Sequence, residues 1–99
     1  MIKIKHLEQS LKAKQDLKII WRYSYKNYGS SQANKYYQEL QQALDRITQH
    51  PFIGAACDDV RLGYRKYHVN QHIIIYKVIT DVIYVIRVVS SKMDYAAHL

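Results

Sequence analysis

The chain opens on a period of two. Ile2 and Ile4 alternate with Lys3 and Lys5, which predicts a half-buried strand at the N-terminus. The period then changes: Ala13, Leu17, Ile20, Trp21, Ser24 and Tyr28 recur at steps of three and four, while Lys12, Lys18, Arg22 and Lys26 lie off that stripe. This is the pattern of an amphipathic helix, with Ser10 placed to cap its start and Gly29 to end it. A second stripe, Ala33, Tyr37, Leu40, Leu44 and Ile47, predicts a second helix with Ser30 or Ser31 as its cap. His50-Pro51 closes it, because the residue before proline avoids helical backbone angles. The short Gly29 connection makes the two an antiparallel hairpin, roughly 11–28 and 31–49, with Leu17, Trp21, Leu40, Leu44 and Ile47 expected in the core. Phe52 to Val60 reads as a loop. Beyond it the chain turns β-like, with strands expected over 64–69, 72–79 and 82–89, turning at Asn70-Gln71 and Thr80-Asp81. The last ten residues form a polar tail with room for a short helix. The order is that of one α+β domain over 1–99: an N-terminal strand, a helical hairpin, then an antiparallel β meander.

The last hairpin poses a packing problem. If Thr80-Asp81 is a two-residue turn, Ile79 opposes Val82. One face then shows Ile73, Ile75, Lys77 and Ile79 with Val82, Tyr84, Ile86 and Val88. The other shows His72, Ile74, Tyr76 and Val78 with Ile83, Val85, Arg87 and Val89. Both faces are apolar, and one helical hairpin covers only one of them. An antiparallel sheet with a solvated side should be polar there. The favoured reading is a partner site on the spare face, since large exposed apolar patches mark such sites. The alternative is cover by loop 52–60 or by the tail.

Charge narrows the class of partner. The 99 residues carry a net charge of +7, and residues 1–50 hold nine basic against four acidic side chains. A basic domain attracts nucleic acid, acidic protein segments or a membrane surface, and the same charge also serves solubility. The excess is spread through the helical half with no run of five like charges. The single cysteine, Cys57, excludes an intramolecular disulfide framework, and Asp58 and Asp59 beside it raise a thiol's pKa rather than activate it. The longest apolar stretch, Ile73 to Val89, is broken by Lys77, Asp81 and Arg87, so no membrane span is expected and the domain reads as cytoplasmic. His68 and His72 flank the Asn70-Gln71 turn and could approach one another, but two histidines with no third ligand make a poor metal site. No glycine-rich phosphate loop or nucleophile elbow occurs, so no cofactor or metal is expected. Of the ten tyrosines, Tyr28 and Tyr37 fall on the core stripes and Tyr23, Tyr25 and Tyr36 beside them, which suits a core edge better than a base-stacking platform.

These residues, taken in order, resemble a family. Ala13-x-x-Asp16-Leu17-x-x-Ile20 opens the first helix and Tyr28-Gly29 closes it. Ala33 and Tyr37 follow, then Pro51-x-x-Gly54, Gly63-Tyr64-Arg65, His72-x-Ile74-x-Tyr76, and Ile86-Arg87-Val88-Val89 with Asp94 behind. The set is similar to the ParE branch of the RelE/ParE toxin superfamily of bacterial type II toxin–antitoxin modules, over nearly the whole chain. The resemblance implies a toxin that inhibits DNA gyrase by binding, with no catalytic residues of its own. It further implies silencing by a ParD-like antitoxin, through which DNA is reached indirectly. The antitoxin's extended segment is then expected on Ile73, Ile75, Tyr84 and Ile86. Arg65 and Arg87 are expected to make polar contacts, and Lys18, Arg22 and Lys26 to meet gyrase or its bound DNA. Arg65 and Arg87 have an alternative structural role, pinning the loop through Asp58 and Asp59 or the tail through Asp94.

The superfamily's RelE-like branch, which cuts messenger RNA on the ribosome, is the alternative, as is a non-toxic relative that only binds antitoxin. Where the RelE-like branch carries an arginine in the strand leading to the shared tyrosine, this chain has Ile73. Ser91 stands at that branch's second arginine and Ala97 at its tyrosine, with Tyr95 near. Ribose attack on phosphate needs charge stabilisation and proton transfer, and Ile73 supplies neither. A frequent ParE histidine after the last strand is replaced here by Ser90.

Overall fold

The structure, a computed structural model, describes residues 3–99. Strand β1 (His6–Gln9) is followed by helices α1 (Leu11–Tyr28) and α2 (Ser30–Gln49), then β2 (Ala55–Ala56), β3 (Tyr64–Val69), β4 (His72–Ile79), β5 (Val82–Ser90) and a single 3-10 turn, Tyr95–His98. The sheet order is β1-β5-β4-β3-β2. β1 runs parallel to β5, and every other pairing is antiparallel. The α+β architecture is the one expected, but the first strand starts later. Main-chain pairing with β5 begins where Lys5 N donates to Asp81 O (2.7 Å) and His6 faces Val82. Ile4 precedes the strand and packs half-buried on the core, and Ile2 lies outside the described residues.

Local chemistry explains both helices. Ser10 Oγ accepts from Ala13 N (3.0 Å), capping α1, and donates to Ile86 O (2.7 Å), so one hydroxyl starts the helix and ties it to β5. Gly29, at φ +89°, makes the reversal that a side chain would resist. Gly29 itself, not Ser30 or Ser31, stands at the N-cap of α2, and no side chain caps that helix. Ala13, Leu17 and Ser24 of α1 and Ala33, Leu40, Ala43, Leu44 and Ile47 of α2 are buried. Four stripe residues are not, and Ile20 among them packs half-buried on the core. Trp21 is half-buried, stacked on Tyr25 at 5.1 Å and donating to Asn34 Oδ1 at 3.1 Å. Tyr28 and Tyr37 are exposed, and Tyr36 packs inward in place of Tyr37. Every residue from 25 to 32 is exposed, so the hairpin's closed end overhangs the sheet and its stripe finds nothing to cover.

A bulge decides which residues share a face. The Thr80-Asp81 turn pairs Ile79 with Val82 as expected, but Ile75 faces Arg87 while Tyr76 faces Val85. Ile86 is therefore the extra residue, and the parity of β5 reverses beyond it. Val88 joins Ile74, Tyr76, Ile83 and Val85 under the helices, and Val89 joins Ile73 and Ile75 on the far side. Strict alternation had placed Val88 and Val89 on the opposite faces. The loop after α2 is also more ordered than expected: Ala55 and Ala56 add a short edge strand to β3. Buried Tyr76 clasps this loop, its hydroxyl accepting from Gly54 N (2.9 Å) and donating to Pro51 O (2.8 Å).

Candidate functional site

The far face of the sheet is apolar, as its sequence requires, but it is not bare. Ile73, Ile75 and Val89 are at most 4% exposed, with Tyr64, Ile86, Tyr95 and Leu99 packed around them. The cover is the C-terminal tail. Asp94 accepts from Ala96 N and caps the 3-10 turn, which lays Tyr95 and Leu99 over the isoleucines. Lys66 Nζ donates to the Tyr95 hydroxyl (3.2 Å), Arg87 Nη1 to His98 O (3.2 Å) and Arg61 Nη2 to Leu99 O (3.3 Å). Of the four residues expected to meet a partner, Ile73 and Ile75 thus lie beneath the tail, Ile86 is half-buried beside it, and half-buried Tyr84 sits outside that cluster, with Lys77 Nζ 6.0 Å from its ring centre. The tail itself holds no buried residue. Cover by the tail is the outcome the sequence reading ranked second. Its signal is in the spacing: Tyr95 and Leu99, four apart, put two large apolar side chains on one side of a short turn, while Met93 stays exposed.

The two arginines brace the fold. Asp16 Oδ2 accepts from Arg87 Nε (2.8 Å) and from Val88 N (3.0 Å), while Oδ1 accepts from Arg87 Nη2 (2.9 Å). The pair is largely buried, at 20% and 12% side-chain exposure. It closes the edge of β5 where β1 has ended, joining α1 to the sheet. Arg87 also reaches the tail, through His98 O rather than through Asp94. Arg65 pins the loop after α2 through carbonyls instead of Asp58 and Asp59: its Nη1 donates to Gly54 O (2.7 Å), and its guanidinium stacks over Phe52 at 4.9 Å. Asp58 accepts from Gly63 N.

The outer face of α1 is different in kind. Lys14, Lys18, Arg22 and Lys26 are exposed and follow one another at four-residue steps; the row winds from Lys14, on the flank beside Leu17 and β1, to Arg22 and Lys26 on the side away from Ala13, Leu17 and Ser24. Among the described residues none of the four is held in an ion pair or a side-chain hydrogen bond. The one acid on the helix, Asp16, faces inward to Arg87.

The remaining candidates separate or turn inert. The β3–β4 register pairs His68 with Ile73 and His72 with Val69, so the histidines lie on opposite faces and do not approach one another. His72 Nδ1 meets the Tyr36 hydroxyl at 2.6 Å on the helical side, and burial pushes its pKa below the ordinary 6.5. This pair sits at the floor of an open groove of about 600 Å3, with Ile19, Tyr23, Tyr28 and Lys35 along its walls. The groove has no signal in the sequence, because its walls come from α1, α2 and the β3–β4 turn, which are distant along the chain. Cys57 is buried, and burial first, then Asp59 and Asp58, pushes its thiol pKa up. Lys66, held by the Tyr95 hydroxyl, is likewise raised, which makes it a poor proton shuttle. Among the described residues no helix is long and apolar enough to cross a membrane.

Comparison with known proteins agrees with this arrangement. The chain is 41% identical over 88 residues to "Toxin ParE1" of Mycobacterium tuberculosis, covering 88% of this chain and 90% of that one. It is 39% identical over 90 residues to "Toxin ParE1" of Caulobacter vibrioides, covering 91% and 93%. Among solved structures, "Chromosomal ParDE TA system from P. aeruginosa" superposes with a TM-score of 0.77 at 20% identity, over 89% of this chain and 96% of that chain, a likeness of fold. The family described as "ParE toxin of type II toxin-antitoxin system, parDE" matches residues 7–95. The chain belongs to the ParE toxin family.

Proposed function

We propose that this toxin acts by binding DNA gyrase, without chemistry of its own, and is silenced by a ParD-like antitoxin in the cytoplasm. The observation that carries this reading is Ile73. Where a ribosome-dependent nuclease of the superfamily would present an arginine to phosphate, this side chain is apolar and 3% exposed. No positive charge can be offered from that position. The neighbouring Lys66 and Tyr95 are hydrogen-bonded to each other, and the raised lysine holds its proton.

The antitoxin's extended segment is assigned to the far sheet face, over Ile73, Ile75, Tyr84 and Ile86. Access there requires the tail to lift, and its few hydrogen bonds and exposed residues make it the weakest-held segment of that face. Apolar anchors in the incoming segment would replace Tyr95 and Leu99. Contact with the target is assigned to Lys18, Arg22 and Lys26, since Arg65 and Arg87 are already committed to holding the loop and the helix. Purified protein is expected to inhibit gyrase supercoiling and to trap cleaved DNA, and added antitoxin to reverse both. Cleavage of messenger RNA on ribosomes with gyrase untouched would overturn the reading in favour of the nuclease branch.

A further inference from the structure

We infer that the outer face of α1 is a docking ridge for the phosphate backbone of duplex DNA, so that the protein grips DNA directly and without regard to sequence. The gyrase reading gives this its setting, but the inference stands on the helix alone.

In an α-helix a four-residue step advances about 6 Å and turns about 40°. Lys14, Lys18, Arg22 and Lys26 therefore form a row about 18 Å long that winds about 120° around the helix, with Lys18, Arg22 and Lys26 at its exposed crest and Lys14 at its flank. One strand of B-DNA presents a phosphate roughly every 3.4 Å of axis, so the row runs past about five phosphates. Each of the four side chains is exposed, and among the described residues none has a carboxylate partner to give up on binding. The acid that would repel phosphate, Asp16, is turned away and neutralised by Arg87.

Shape selects among acidic partners. An acidic peptide with apolar anchors needs a groove, and this surface is the convex back of a helix. A convex basic surface can instead lie along the charged phosphate backbone of a duplex. Trp21 and Tyr25, stacked at the ridge's flank, supply a reporter, since Trp21 is the chain's single tryptophan. Contacts from lysine and arginine to phosphate carry no sequence information, and the exposed amide of Gln15 lies at the end of the ridge, away from its centre.

The test uses a fluorescently labelled 30-base-pair duplex titrated with the purified protein, with no gyrase present. Four phosphate contacts give a salt slope near −3.6, or roughly a 150-fold loss of affinity between 50 and 200 mM salt. The Lys18→Gln, Arg22→Gln double variant should halve that slope and weaken binding roughly 50-fold at 100 mM salt. The control variant, Lys35→Gln with Lys92→Gln, removes the same charge from another surface and should change affinity only slightly. Quenching of Trp21 should track the anisotropy. Equal losses in the two double variants would overturn the ridge and leave diffuse attraction by a basic protein. Binding of an acidic peptide but not of duplex, competed by the same ridge substitutions, would overturn it in favour of a protein partner. All four positions are exposed, so far-ultraviolet dichroism and melting should match the parent. If the first double variant does not fold, Lys14→Gln with Lys26→Gln reads the same slope. Loss of gyrase inhibition with duplex binding intact would fault the target reading and leave the ridge standing.

Discussion

Replacing Asp16 by alanine should damage this protein more than any other single surface-reachable change. The carboxylate accepts three hydrogen bonds, two from Arg87 at 2.8 and 2.9 Å and one from Val88 N at 3.0 Å. Removing it leaves a guanidinium that is 20% exposed facing a void, and a strand-edge N–H without its acceptor. Breaking a buried pair by deleting one member costs about 3–5 kcal/mol. Arg87 keeps partial solvent and its bond to His98 O, so about 2–4 kcal/mol is expected here. For a chain of this size that lowers the melting temperature by on the order of 10–25 °C.

The assay is thermal and urea unfolding followed by far-ultraviolet dichroism, on Asp16→Ala, Asp16→Asn, Arg87→Met and the Asp16→Ala, Arg87→Met double variant. Asparagine keeps an acceptor for Val88 N and should fall between alanine and the parent. The double variant should be less damaged than the sum of its parts, because removing both partners leaves no orphaned charge. If Asp16→Ala melted within about 3 °C of the parent, the pair would be ornamental and the account of α1's attachment would be wrong.

Three further outcomes are expected. His72 has its pKa depressed by burial, so between the folded value and 6.5 the unfolded chain binds more protons; stability should fall as pH drops below about 6.5, and His72→Gln should flatten the difference between urea midpoints at about pH 7.5 and pH 5.5. Gly54→Ala would place a Cβ 2.7 Å from Tyr76 Oη and 2.9 Å from Lys66 O, and should cost about 1–3 kcal/mol in the same unfolding assay. Cys57, buried and with a raised thiol, should react with a disulfide reagent on the order of 100-fold more slowly in native buffer than in denaturant, a difference that an accessible thiol would erase.

Periodicity made the helices legible, because each core stripe is flanked by lysines, arginines and glutamines, but it did not separate Tyr36 from Tyr37 or show that Tyr28 lies past the sheet. The meander was legible for a different reason: its turns carry Asn70 and Thr80, both at positive φ, between long apolar runs. The bulge left no trace. Val85-Ile86-Arg87-Val88-Val89 is apolar at four of five positions, so an extra residue breaks no visible alternation. The start of β1 was hidden too, since it is set by parallel pairing with a strand some 75 positions away. At the site, the row of lysines was visible, and so was its freedom from acidic neighbours on the same face. The fates of Arg65 and Arg87 were not, because both are satisfied by groups distant in sequence: a loop carbonyl in one case and the lone acid of α1 in the other.

The two surfaces assigned to partners lie on opposite sides of the sheet, and this separation constrains how one could influence the other. The ridge is the back of α1, while the tail lies over Ile73 and Ile75 on the far side. Arg87 connects them, doubly bonded to Asp16 and singly to His98 O. Lifting the tail removes the single, exposed bond and leaves the buried pair intact. An exposed hydrogen bond of this kind is worth on the order of 1 kcal/mol, so occupancy of one face would alter affinity at the other about five-fold through this residue. That is the weak end of allosteric coupling. On the proposed function, an antitoxin segment confined to the tail face would therefore loosen the ridge only slightly through Arg87, and silencing would rest on steric blocking of the target, with mass that reaches around the edge of the sheet toward α1.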